Sequence, residues 1–130
     1  MTKKNNKGAI VIIKNEENKF LLLLRPDWVS WAPSKWAFAG GRVENEESPA
    51  AAAVREVKEE TELDINVDDL EYLPTISNKY VDVFFAKCYS GRLKIDHEHD
   101  DYVWVTRENL GYYELAPGVA KAINYLAYRE

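Results

Sequence analysis

The sequence predicts an α/β fold, with helices packed on both sides of a mixed β-sheet. Three observations carry that expectation. The runs GAIVIIK (Gly8–Lys14) and FLLLLR (Phe20–Arg25) are continuous in large apolar residues and read as strands buried on both faces. A helical apolar period follows over Pro49–Thr61, and a second over Gly118–Tyr128 closes the chain. Strands around one central helix, with another helix at the end, make a layered sandwich. At 130 residues, the chain is one domain in length, residues 1–130, and long enough to bury its own core.

Taken in order, Met1–Lys7 is polar and basic and reads as a flexible arm. Asn15–Lys19 is a polar turn between the first two strands. Pro26–Ser34 is a loop carrying Trp28 and Trp31, and Trp36–Phe38 is a short strand entering a tight Gly-Gly turn at Gly40 and Gly41. Ser48 before Pro49 reads as an N-cap with proline at the first helical position. At about 100° per residue, Ala50, Ala53, Val54, Val57 and Thr61 share one side of that helix. Beyond it, Asp64–Val67 and Leu70–Ile76 read as extended. YVDVFFAKCY (Tyr80–Tyr89) is a strand, Ser90-Gly91 a turn, and Arg92–Ile95 a further short strand. Asp96–Asp101 (DHEHDD) is an acidic, histidine-bearing loop, Val103–Val105 a strand, and Arg107–Leu110 a helical turn.

Composition narrows the function. A net charge of −5 leaves no basic excess to neutralise phosphates, which argues against a nucleic-acid binder. The single cysteine, Cys88, rules out an internal disulfide, fits a reducing compartment and reads as a small strand residue. The longest apolar runs, Ala9–Ile13 and Phe20–Leu24, are too short for a membrane span or a signal-peptide core. A cytoplasmic protein without a membrane partner is the resulting expectation.

The chemistry concentrates in GGRVENEESPAAAAVREVKEETEL, from Gly40 to Leu63. Glu56 and Glu60 lie one helical turn apart, with Glu59 three residues from Glu56. Three carboxylates on one helical flank repel one another unless a positive group sits among them. A hard divalent cation with oxygen ligands, Mg²⁺ or Mn²⁺, meets that need.

This stretch resembles the Nudix box, the signature of the Nudix hydrolases. The box reads Gly, five residues, Glu, seven residues, Arg-Glu, an aliphatic residue, any residue, Glu-Glu, any residue, Gly, and an aliphatic residue. Here it runs Gly41, Glu47, Arg55-Glu56, Val57, Lys58, Glu59-Glu60, Thr61, Glu62, Leu63. Glu62 replaces the final Gly, and Ala39 replaces the proline that often precedes the two glycines. The resemblance implies a Nudix-type α/β/α sandwich and cleavage of a diphosphate linkage. It makes Glu56 and Glu60 direct metal ligands, Glu59 a ligand directly or through water, and the backbone carbonyl of Gly40 another. Glu59, Glu60 and Arg55 then also count as catalytic. Arg55 is expected to pair with Glu47 and brace the loop against the helix, with Gly41 and Glu47 supporting the site. At Glu62 the resemblance leaves two routes: a left-handed residue under strain, or a different helix end. The first is favoured, because Thr61 and Leu63 keep the usual register.

EHDDYVWV resembles a segment of the family, especially of its diadenosine tetraphosphate hydrolases. A carboxylate there often joins the metal site or serves as the base. Glu98 is the first choice and Asp101 the second, beside the alternative of a solvated acidic loop. His97 and His99 lack further ligands to complete a zinc site and read as supporting or surface groups. By resemblance, Arg25 meets a phosphate, although an ordinary strand-end arginine is the competing reading. Trp28, Trp31, Tyr80 and Phe84 could stack on a nucleobase; Tyr80 is the chosen candidate and Phe84 reads as core.

The resulting expectation is a metal-dependent pyrophosphohydrolase acting on a nucleoside diphosphate linked to another group. Nucleoside triphosphates, dinucleoside polyphosphates, ADP-ribose and nucleotide sugars all fit. The alternative is a Nudix-fold module that senses a nucleotide without cleaving it. Three retained carboxylates count against that alternative. A homodimer is common in the family.

Overall fold

Strand β1 (Gly8–Ile13) has a core on each side, and its residues alternate between them. In the computed structural model, which describes residues 7–129, Ala9, Val11 and Ile13 enter one core, and Ile12 enters the other. Strand β2 (Phe20–Leu24) does the same: Leu21 and Leu23 join the first core, Phe20 and Leu22 the second. Period-2 geometry turns a continuous apolar run into two buried faces, so neither strand has a polar side.

β1 pairs parallel with β6 (Val81–Ala86) and antiparallel with β4 (Ala39–Arg42), and β5 (Glu71–Tyr72) extends the order to β4-β1-β6-β5. β2 pairs antiparallel with β3 (Trp36–Ala37) and β7 (Asp101–Val105) in a second, three-stranded sheet. Helix α1 (Pro49–Thr61) covers the first core and helix α2 (Val119–Arg129) the second. This is the expected α/β sandwich with a mixed sheet, its strands divided between two sheets.

The first helix starts and stops as its sequence dictates. Ser48 is extended and its hydroxyl accepts the Ala51 N–H at 3.1 Å. The buried face comprises Ala52, Ala53, Val57, Glu60 and Thr61, whereas Ala50 and Val54 are only half-buried. The face is therefore rotated from the expected one and carries a carboxylate, Glu60, inward. The alanines allow close approach to β1 and β4. In α2, Val119, Ala122, Ile123 and Leu126 fill the opposite core.

Several local expectations are corrected. Gly40 and Gly41 lie within β4 rather than in a turn. Leu70–Ile76 yields only the two residues of β5 before a 3₁₀ turn at Pro74–Ile76, where proline removes a donor that a strand would need. Asp64–Val67 contributes one bridge, Asp64 with Ser90, before a 3₁₀ turn over Val67–Asp69 that Asn66 caps. β6 ends at Ala86, so Cys88 lies outside it and is exposed. Arg92–Ile95 forms no strand, and β7 begins at Asp101 instead of Val103. The expected arm falls outside the described residues except for Lys7, which is tied down: its Nζ lies 2.8 Å from the Asp82 carboxylate.

Candidate active site

Two glycines and two glutamates form the centre. A Cβ on Gly41 would lie 2.4 Å from the Glu56 carboxyl carbon and 2.6 Å from both its oxygens. A Cβ on Gly40 would lie 2.4 Å from the Ala9 carbonyl. At Gly40 the obstacle is backbone, so no side chain fits there; at Gly41 the obstacle is the Glu56 carboxylate, which would have to move aside. Gly40 donates its backbone N–H to Glu60 Oε1 at 3.0 Å. Burial pushes the Glu60 carboxyl up to about 9; the Gly40 N–H works against the shift, and the neighbouring Glu56 and Asp96 add to it.

Arg55 joins three segments. Its Nε and one terminal nitrogen donate to the two Glu47 oxygens at 2.8 and 3.0 Å, the bidentate geometry that suits guanidinium and carboxylate. The same fork reaches the Arg42 carbonyl at 3.0 Å at the end of β4. The other terminal nitrogen donates to Glu56 at 2.9 Å and to Glu59 at 3.3 Å. Arg55 thus ties strand, loop and helix together; the pairing with Glu47 is the one the resemblance implies, and the tie to the strand at Arg42 is additional. Its guanidinium, and then the Glu44 N–H, hold the Glu47 carboxyl below the usual range, and Glu47 in turn raises the pKa of Arg55.

The end of α1 brings the acidic loop in. Glu62 takes φ 61° and ψ 10°, the left-handed conformation, and donates its N–H to the Lys58 carbonyl at 3.0 Å. The carbonyls of Glu60 and Thr61 then accept from the loop, from Asp96 N–H at 3.0 Å and Lys94 N–H at 2.9 Å. A helix leaves its last carbonyls without intrahelical donors, and here the loop supplies them. Asp96 consequently stands beside Glu60, and its carboxylate pairs with His99 Nδ1 at 2.7 Å. Glu98 and His97 are exposed on the same loop, and Asp101 Oδ1 accepts the adjacent Tyr102 N–H. Asp96 was legible as part of the acidic cluster, but nothing in the sequence singled it out.

These donors are all oxygens, and one of them is a buried carboxylate, the set a hard cation prefers. Among the described residues, no three acidic, histidine or cysteine side chains already converge on one point. Glu59 is exposed, and the carboxylates of both Glu56 and Glu59 are turned to Arg55.

A cleft of about 460 Å³ opens beside Gly40 and Gly41. Ile10, Phe38, Val83 and Val119 give it apolar walls, and Arg25, Asn78 and Lys121 give it polar ones. Arg25 lines it while donating Nε–H to the Trp31 carbonyl at 2.8 Å, with its guanidinium 5.0 Å from the centre of the Trp31 ring. Tyr80 lies next to the cleft but outside its lining; it is exposed, and Lys79 lies over its ring. Trp28 is largely solvent-exposed, and Phe84 is buried in the core on the α1 side.

Comparison with known proteins shows the family. Residues 4–127 match the description of the NUDIX domain. The chain is 33% identical over 115 residues to the CTP pyrophosphohydrolase of Escherichia coli, covering 84% of this chain and 82% of that protein. It is 27% identical over 126 residues to the dihydroneopterin triphosphate diphosphatase of Haemophilus influenzae, covering 82% and 77%. The crystal structure of the MutT protein from Methanosarcina mazei superposes with a TM-score of 0.77 at 25% identity, over 99% of this chain and 97% of that one. A match spanning nearly the whole chain places it in the NUDIX domain family, as a hydrolase of phosphoric anhydride bonds.

Proposed function

We propose that the protein is a metal-dependent pyrophosphohydrolase acting on a nucleoside diphosphate linked to another group, with nucleoside triphosphates as the first class. The supporting observation is that Gly40, whose N–H holds the buried Glu60, and Gly41, against which the Glu56 carboxylate packs, both line an apolar cleft large enough for a base and sugar. The triphosphate substrates in the names of both relatives favour that class over dinucleoside polyphosphates, ADP-ribose and nucleotide sugars.

In this reading, Glu56, Glu60 and Glu59 would hold Mg²⁺ or Mn²⁺ with the Gly40 carbonyl. Such an ion offsets charge on the phosphate oxygens and makes a bound water more acidic. Arg55 positions Glu56 and Glu59 through the Glu47 fork. A carboxylate of the acidic loop accepts the proton of the attacking water as a phosphorus–oxygen bond of the diphosphate breaks. We assign that role to Asp96, held in place by His99 and by the end of α1, ahead of Glu98. Arg25 binds a phosphate at the mouth of the cleft, and Tyr80 borders the base. A Mg²⁺-dependent hydrolysis screen over the four substrate classes, with products identified, tests the proposal. Release of inorganic pyrophosphate and a nucleoside monophosphate from a triphosphate is expected; no turnover of any class would overturn it.

A further inference from the structure

The polar side chains of the cleft have one shared property. Asn78 Oδ1 accepts two backbone N–H groups, from Tyr80 at 2.7 Å and from Val81 at 3.0 Å. Those bonds fix which end of the amide is oxygen, because a backbone N–H needs an acceptor and Nδ2 is not one. What Asn78 can still offer a ligand is its Nδ2 donor pair. Arg25 and Lys121 are donors only. Among the described residues, the lining contains no carboxylate or hydroxyl. The side chains of the cleft can therefore donate hydrogen bonds to a ligand but have no uncommitted acceptor to offer. Nucleobases divide on this point. Guanine and uracil present an oxo acceptor where adenine and cytosine present an amino donor. An amino group placed against these side chains would lose its hydrogen bonds to water and gain none.

From this we infer that the cleft selects bases bearing an oxo group at that position, and that Asn78 Nδ2 is the donor that reads it. The inference rests on the nucleotide reading of the site and names its preferred substrates, guanine and uracil nucleotides over adenine and cytosine nucleotides.

Calorimetric binding of non-hydrolysable α,β-methylene triphosphate analogues, with Mg²⁺, tests it in two matched pairs. The wild type should bind the GTP analogue more tightly than the ATP analogue, and the UTP analogue more tightly than the CTP analogue, each by about fivefold to tenfold, the worth of one hydrogen bond. Asn78→Asp keeps an oxygen for both backbone N–H groups and replaces the Nδ2 donor by an acceptor. It should abolish or invert both preferences, with the melting temperature confirming that the variant is folded. Added negative charge weakens all four analogues alike, so the ratio within each pair is the readout. Equal affinity within the pairs for the wild type, an amino-base preference, or preferences unchanged in the folded variant would overturn the inference. So would failure of all four to bind. Because binding is measured without cleavage, selective binding alongside a negative hydrolysis screen would count against the proposed activity alone.

Discussion

The backbone N–H of Asp96 donates to the carbonyl of Glu60 at 3.0 Å, so the acidic loop is anchored on the last turn of the helix that bears the glutamates. Asp96 is thereby fixed in register with Glu60, while Glu98 stays exposed two residues away. Asp96→Asn should lower kcat on the order of 10²-fold, a loss typical of one preorganised polar group, with a smaller loss for Glu98→Gln. Steady-state kinetics of the two variants decide the assignment; the reverse order would return the role to Glu98.

Arg55→Lys is expected to destabilise the protein by about 1–3 kcal/mol, because an ammonium cannot reproduce the two bonds to Glu47 together with those to the Arg42 carbonyl and Glu56. Urea denaturation measures the loss. Activity should fall further than stability predicts, since Glu56 and Glu59 lose their common support.

Much of this was readable in advance. Ser48-Pro49 and Thr61 bound the first helix as expected, and the apolar runs of Gly8–Ile13 and Phe20–Leu24 are buried on both faces. The glycines were recognised, but for a turn they do not make. The need at Gly40 is steric, set by the backbone of Ala9 in another strand, and Gly41 packs on the Glu56 carboxylate; no strand or turn pattern records either contact. Asp96 was hidden for a related reason. Its place depends on a hydrogen bond from its own backbone N–H, and every residue but proline has that donor. The inward turn of Glu60 follows from how the helix rolls against β4, which periodicity alone left undetermined.

Glu62→Gly should stabilise the fold. Glu62 sits at φ 61°, where a side chain costs on the order of 1 kcal/mol. Glycine removes that strain and returns part of the gain through its larger unfolded-chain entropy. Chemical denaturation should show a gain of about 0.5 kcal/mol, with activity nearly unchanged.

Stability without metal should depend on pH through Glu60. Its carboxyl is pushed up in the folded state, from an ordinary 4.5 to about 9. The folded form therefore retains a proton that the unfolded form gives up. The contribution of Glu60 is full below about pH 4.5, falls as pH rises from there toward 9, and levels off above. Thermal melts of chelated protein should show this decline, and Glu60→Gln should flatten it. Millimolar Mg²⁺ should raise the melting temperature most at the alkaline end, where the carboxylates are charged.

The most direct test of the account is the turnover of Glu60→Gln with a nucleoside triphosphate and Mg²⁺. The amide keeps the size of the side chain and an oxygen for the Gly40 N–H but removes the anionic ligand. The account predicts a folded protein whose kcat is lower by a factor on the order of 10² or more. Wild-type turnover in that folded variant would contradict it.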